Sequence, residues 1–285
     1  MPDASDPLQP APSDHPALVL RVLTTDRHVR LAVLDASPLW DGIRRSHPHL
    51  EPEACACLTE LMASAALLQS RTVFVERLQI LLKGAGRAKA VVADSWPDGM
   101  VRGMLDVSDM PPGSPWVDGP GIFQVMRSSA SGEPYIGNLE LVAGGVQAQI
   151  EAYLLQSEQV QASATLWCDS DTGEAGALLV EPLPECPPER LARLIQALEG
   201  LEVVPFWERK PDFLVDWINQ GPGAQVLSEI LLSYGCRCSK LSLLGSLRGF
   251  AEAQREELFA EGGPIEVRCD YCGTVYWIAK EELLA

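Results

Sequence analysis

Gly235-Cys-Arg-Cys-Ser-Lys240, followed after a spacer by Arg268-Cys-Asp-Tyr-Cys-Gly-Thr274, is the stretch that divides this chain into domains. Cys-x-Cys and Cys-x-x-Cys supply four thiols in two tight clusters, enough to close a tetrahedral zinc site. Cys236, Cys238, Cys269 and Cys272 are therefore the candidate ligands of one zinc ion. Gly273 follows the last cysteine, where a turn that aims backbone amides at thiolate sulfurs needs a permissive residue. Flanked by Val267 and Val275-Tyr-Trp-Ile278, the Cys-x-x-Cys-Gly run reads as a zinc knuckle on a hairpin. The spacer LSLLGSLRGFAEAQREELFAEGG reads as a small helical unit pinned to that hairpin by the metal. Residues 235–285 make too small a core to fold without it. Arg237, Lys240 and Arg268 lie beside the ligands in sequence and are expected to offset the charge of four thiolates. Chemistry alone leaves two readings open, a permanent zinc staple and a thiol-based redox switch.

Outside this segment, composition sets the class. The 285 residues suit one large domain plus a smaller one, and 47% hydrophobic residues suffice for a packed core. A formal charge of −17 opposes binding to nucleic-acid phosphates and to anionic membrane surfaces. No apolar run is long enough for a transmembrane helix. The opening Met1-Pro-Asp-Ala-Ser-Asp lacks the basic and apolar regions of a signal peptide, so a cytoplasmic protein is expected. In that compartment the eight cysteines read as metal ligands or redox thiols rather than structural disulfides.

Residues 1–17, rich in proline and aspartate, read as a disordered leader. Residues 18–180 read as an α+β domain. It opens on a hairpin over Ala17–Leu34, continues with a helix over Glu51–Thr72, and has a second hairpin over Arg77–Leu82 and Ala88–Ala93. Strands over Met100–Val107, Ile122–Met126 and Asn138–Val142 and a helix over Gln147–Glu158 follow. The proline-rich Glu181–Pro188 then breaks the pattern. Residues 181–234 read as an amphipathic, metastable linker, with ordinary core of a single domain as the alternative. Its helix puts Leu191, Leu194, Ile195, Leu198 and Leu201 on one stripe that must dock to leave water. Gln225–Tyr234 reads as a second helix.

No catalytic motif is present. Lys83-Gly-Ala-Gly86 is a turn rather than a phosphate cradle, and neither a Gly-x-Ser-x-Gly elbow nor a His-Glu-x-x-His helix occurs. Ser157-Glu158-Gln159 reads as a trio that caps or pins a helix. Cys55 and Cys57, two apart on a helix, face different ways and read as buried cysteines. Cys168 reads as core and Cys186 as exposed. The histidines at 15, 28, 47 and 49 form no ligand pattern. A thiol–disulfide oxidoreductase built on Cys269-x-x-Cys272 lacks a thioredoxin-like βαβ context. A nucleic-acid-binding zinc ribbon conflicts with the net charge.

With these residues in view, the chain resembles the 33 kDa redox-regulated heat-shock chaperonins, a family of bacterial zinc-containing holdases. Cys236-Arg-Cys238 and Cys269-Asp-Tyr-Cys272-Gly273 match the family's paired-cysteine signature. Leu78–Val92 is similar to its early hairpin, Pro134-Tyr-Ile-Gly137 to its Pro-Tyr-x-Gly segment, and Tyr153–Gln159 to its Tyr-x-x-x-Ser-Glu-Gln segment. The likeness spans residues 18 to 285. Val160-Gln-Ala-Ser163 stands where the family usually has a Pro-Thr-like step. The extra cysteines at 55, 57, 168 and 186 lie outside the signature and leave their redox behaviour open. The resemblance implies an ATP-independent chaperone, not an enzyme, with one zinc ion held in the reduced state. It implies disulfides Cys236–Cys238 and Cys269–Cys272 on oxidation, release of zinc, and loosening of the linker. It further implies capture of unfolded clients through surface that includes the Leu191–Leu201 stripe, and a homodimer on activation.

Overall fold

The computed structural model describes residues 17–72, 76–111, 113–129 and 132–284. The expected leader lies almost wholly outside them. Strands β1 (Ala17–Leu23) and β2 (Val29–Asp35) form the expected first hairpin, closed by Thr24 and Asp26. Helices α1 (Ser37–Ser46) and α2 (Pro52–Ser70) follow. α2 is apolar nearly all round, and a helix of that composition belongs inside a protein. Strands β3 (Arg77–Lys83), β4 (Ala88–Ser95), β5 (Met100–Val107), β6 (Ile122–Ser128) and β7 (Tyr135–Glu140) build an antiparallel half-sheet. After α3 (Gly145–Ser157), strands β8 (Ser163–Cys168) and β9 (Ala175–Pro182) join β2 to extend a second half-sheet.

Helices α4 (Pro188–Gly200) and α5 (Pro211–Asn219) come next, each opened by a proline at its first turn, where a missing N–H costs nothing. Gln225–Tyr234 is then a strand, β10, and not the expected helix. Its residues satisfy both periods locally. What decides is β1, with which it pairs antiparallel from Ala17↔Leu232 to Leu23↔Gln225. The last ten residues of the segment expected to be linker thus lie inside the main sheet. The strand order is β7-β6-β3-β4-β5-β10-β1-β2-β9-β8. Among the described residues the two half-sheets pair at Ser233↔Met100 and Tyr234↔Val101, the parallel pairing of β10 with β5.

Strand alternation sends residues to two cores. On one face Val19, Ala32, Leu34, Ala177 and Leu179 pack with α2. On the other, Leu20, Val22, Leu31, Val33, Leu178 and Val180 pack with Leu194, Leu201, Leu214 and Ile218 of the α4–α5 segment. Both faces being covered explains why β1 and β2 are apolar almost throughout. The C-terminal unit comprises α6 (Lys240–Arg248), α7 (Glu252–Glu257), the hairpin β11 (Ile265–Arg268) and β12 (Val275–Ile278), and α8 (Lys280–Leu284). Its own core is small: Leu244, Phe259, Ile278 and Leu283. Among the described residues no helix is long and apolar enough to cross a membrane.

Candidate metal centre

Each half of the centre hangs on a regular element. β10 ends at Tyr234 and releases Cys236 and Cys238 into the turn before α6, whose first turn Ser239 caps by accepting from the Ser242 N–H. β11 and β12 hold Cys269 and Cys272 in the hairpin turn between Arg268 and Val275. There Gly273 takes φ +70°, the left-handed conformation that the sequence position requires, and its N–H donates to the Cys269 carbonyl at 2.8 Å.

The turn and the hairpin bring all four sulfurs within 4.8 Å of one another. Cys236 Sγ is 3.8 Å from Cys269 Sγ, and Cys238 Sγ is 3.4 Å from Cys272 Sγ. A tetrahedron with metal–sulfur bonds of about 2.3 Å places its sulfurs about 3.8 Å apart. The donor set therefore fits a tetrahedral, thiolate-preferring ion. Electrostatics agree with the need for one. Proton sharing with Cys236 raises Cys269 far above the ordinary thiol range and holds Cys272 far below it. Burial pushes Cys238 up to about 11, against the Tyr276 hydroxyl, which lies 3.2 Å from its sulfur. Four sulfurs in contact cannot all be thiolates unless a cation sits among them.

The sheet domain supplies the rest of the surroundings. Arg102 of β5 donates from Nη1 to Cys236 Sγ at 3.4 Å and from Nε to Asp94 Oδ2 at 2.8 Å. Burial alone would lower its pKa, but the bonds to Asp94 and Cys236 outweigh that and raise it. The Tyr234 hydroxyl donates to the Tyr271 carbonyl at 3.0 Å, and His47 Nε2 lies 2.9 Å from the same oxygen. α1 approaches Tyr234 so closely that a Cβ on Gly42 would lie 2.3 Å from its ring.

A family model described as Hsp33 protein matches residues 18–279 of the chain. The chain belongs to the Hsp33 family. Among its relatives, the 33 kDa chaperonin of Deinococcus radiodurans is 30% identical over 287 residues, covering 94% of this chain and 97% of that protein. The 33 kDa chaperonin of Thermus thermophilus is 29% identical over 290 residues, covering 93% and 85%. The crystal structure of the 33 kDa chaperonin (heat shock protein 33 homolog) of Thermotoga maritima superposes with a TM-score of 0.82 at 22% identity. It covers 95% of this chain and 97% of its own. The likeness supports the Hsp33 fold, an α+β architecture with the four cysteines clustered at its C-terminal end.

In this Hsp33 chain the cations beside the cysteines in sequence do not reach the sulfurs. Arg237 pairs with Asp98, Lys240 with Glu282 at 2.6 Å and Arg268 with Glu266 at 3.7 Å. The cation on a sulfur is Arg102, which no local pattern nominates. His47, assigned no role from sequence, sits against the loop that carries Cys272. Of the apolar stripe, Leu194 and Leu201 are buried in the second core, Leu198 packs against it, and Leu191 and Ile195 are partly exposed. Glu158 does pin its helix, pairing with Arg71 at 2.6 Å and with Arg127. Cys55 and Cys57 are buried, as expected, and burial pushes Cys57 up to about 12. Burial also raises Cys55 and Cys168, so none of the three favours the reactive thiolate. Cys186, expected to be exposed, is half-buried against the second core.

Proposed function

We propose that this chain is a redox-regulated, ATP-independent holdase whose switch is the four-cysteine centre, with one zinc ion held by Cys236, Cys238, Cys269 and Cys272. The observation that carries the reading is the convergence of four sulfurs, from opposite ends of the C-terminal unit, to within 4.8 Å. Family membership supports the chaperone part, since the relatives above are named as 33 kDa chaperonins. When bound, zinc supplies a cross-link between the Cys-x-Cys turn and the hairpin.

The chain's own residues do the rest. Reduced, the four thiolates hold the ion, and the small core of Leu244, Phe259, Ile278 and Leu283 closes beside it. An oxidant such as hypochlorous acid takes two electrons from each thiolate pair. Two thiolates become one disulfide, and the oxidant leaves as chloride and hydroxide. Cys236 then bonds Cys238, and Cys269 bonds Cys272. With both pairs closed, Cys236, Cys238, Cys269 and Cys272 could no longer hold a metal, and the binding free energy such a site would supply to folding, on the order of 10 kcal/mol, would be lost. Domains are stable by only about 5–15 kcal/mol, so the C-terminal unit unfolds. The α4–α5 segment then loosens from the sheet. Leu191, Leu194, Ile195, Leu198 and Leu201, with the sheet face they cover, offer apolar surface to unfolded clients, and the same surface supports a homodimer. The site performs no catalytic turnover, the chain acts in the cytoplasm, and neither nucleic acid nor membrane is a partner.

Zinc release and light scattering of a thermally unfolding client, followed in parallel before and after hypochlorite, test this. The expected outcome is release of about one zinc per chain together with newly acquired suppression of aggregation. Suppression that is equal before oxidation would mean a holdase without redox control. Zinc retained through oxidation, with no suppression, would leave a permanent staple.

A further inference from the structure

The face that the sheet domain turns toward the metal centre is cationic. Arg102 touches Cys236 Sγ, and its guanidinium carbon lies 3.8 Å from the centre of the Tyr271 ring and 5.2 Å from that of Trp96. Arg77 lies 5.9 Å from the same indole, and Arg237, between the two Cys-x-Cys ligands, lies 4.7 Å from it. Little negative charge offsets them. Arg77 and Arg102 share one buried carboxylate, Asp94, at 2.7 and 2.8 Å. Arg237 has its own partner, Asp98, at the exposed rim. One unit of positive charge is therefore left facing the centre.

What balances it depends on the state of the cysteines. Four thiolates around a divalent ion carry a net charge of −2, whereas two disulfides carry none. We propose that the Arg77–Asp94–Arg102 cluster is an electrostatic dock that holds the C-terminal unit on β4 and β5 only in its thiolate–metal form. Oxidation removes the anion in front of Arg102 and leaves two guanidiniums to one carboxylate against a neutral surface. Of the other contacts across this face, those from Tyr234 and His47 go to the uncharged Tyr271 carbonyl, and Arg237 and Asp98 pair charge for charge, so none answers directly to the change. Undocking is then a direct response to the charge of the centre, separate from the unfolding of the unit itself. Arg102 acts here as a positioning residue. The inference rests on the zinc-thiolate reading proposed above.

The test is hydrogen–deuterium exchange of the full-length, reduced, zinc-loaded chain, read on peptides covering residues 95–104 and 268–276, with metal content measured on the same samples. Arg102→Gln keeps Asp94 partnered, because Arg77 and Gln79 still donate to it. This variant is expected to bind one zinc as the wild type does. Its exchange in both peptides should be faster by about tenfold, as loss of one charged hydrogen bond implies, and should approach that of the oxidised wild type. Arg102→Lys should restore part of the protection, and that protection should vanish on oxidation. Unchanged protection in Arg102→Gln would overturn the dock while leaving the zinc reading intact. A wild type that binds no metal when reduced would overturn both, and the metal measurement separates the two cases. Should Arg102→Gln fold poorly, Arg77→Gln, which leaves Asp94 to Arg102 and removes the uncompensated charge, carries the same test. It is expected to bind zinc and to lose part of the protection, and equal protection overturns the proposal.

Discussion

Asp26, in the turn between β1 and β2, ties α4 to the sheet through one carboxylate. It accepts from Thr24 Oγ1 at 2.6 Å, from the His28 N–H at 3.1 Å and from Arg190 Nε at 2.6 Å. Arg190 in turn donates to the Ile218 carbonyl at 2.9 Å and so joins α4 to α5. Burial opposes ionisation of Asp26, but the three donors prevail and hold its pKa down to about 2. A carboxyl lowered on folding contributes stability above its unfolded value, about 3.9, and loses it as pH falls through the folded value. Asp26→Asn is therefore expected to be less stable than wild type above about pH 4. The gap should be level toward neutrality and should close as the pH approaches 2. Urea titrations at a series of pH values measure it, and a gap unchanged down to pH 2 would mean the charge contributes nothing. None of this was legible locally, because Asp26 and Arg190 are far apart in the chain. The contact of Arg102 with Cys236 is invisible to local patterns for the same reason.

Elements were read best where their neighbours agreed with their own periodicity. The hairpin β3–β4 and the stripe of α4 are visible as patterns because alternation or helical spacing matches the surface each one covers, while β1–β2 and α2 show as apolar runs bounded by turn residues. β9 is apolar on both faces and shows no alternation, so no strand pattern marks it. β10 is a strand because of its pairing with β1, a partner distant in sequence. For α4, the structure separates residues that the stripe treats alike. Leu194 is 2% exposed and Ile195 is 49% exposed. Leu194→Ala should cost about 2–5 kcal/mol of stability, whereas Ile195→Ala should stay within about 0.5 kcal/mol. Calorimetric melting of the reduced proteins measures the difference. If the stripe holds clients, Ile195→Ala should nevertheless weaken aggregation suppression after oxidation.

At the scale of the molecule, two half-sheets are joined at the end of β10, two residues before the first cysteine of the cluster. The C-terminal unit has its own small core and leans on the sheet domain through Tyr271, Arg102 and the Gly273 turn, where a Cβ would meet the Ser46 carbonyl at 3.0 Å. Removal of metal from the reduced chain by a chelator should therefore unfold residues 240–284 and leave β1–β4 and α2 protected. Exchange measured peptide by peptide shows which happens, and uniform loss of protection would mean a single cooperative unit. By itself the sequence determined which four cysteines cluster, the α+β class and the amphipathic helix α4. Those are properties of spacing and composition, which tight turns and single helices translate directly into geometry. Only the tertiary structure decided that β10 is a strand, which stripe residues are buried, and which arginine faces the centre. Each of these depends on contacts between residues distant in the chain, where local preference is too weak to choose.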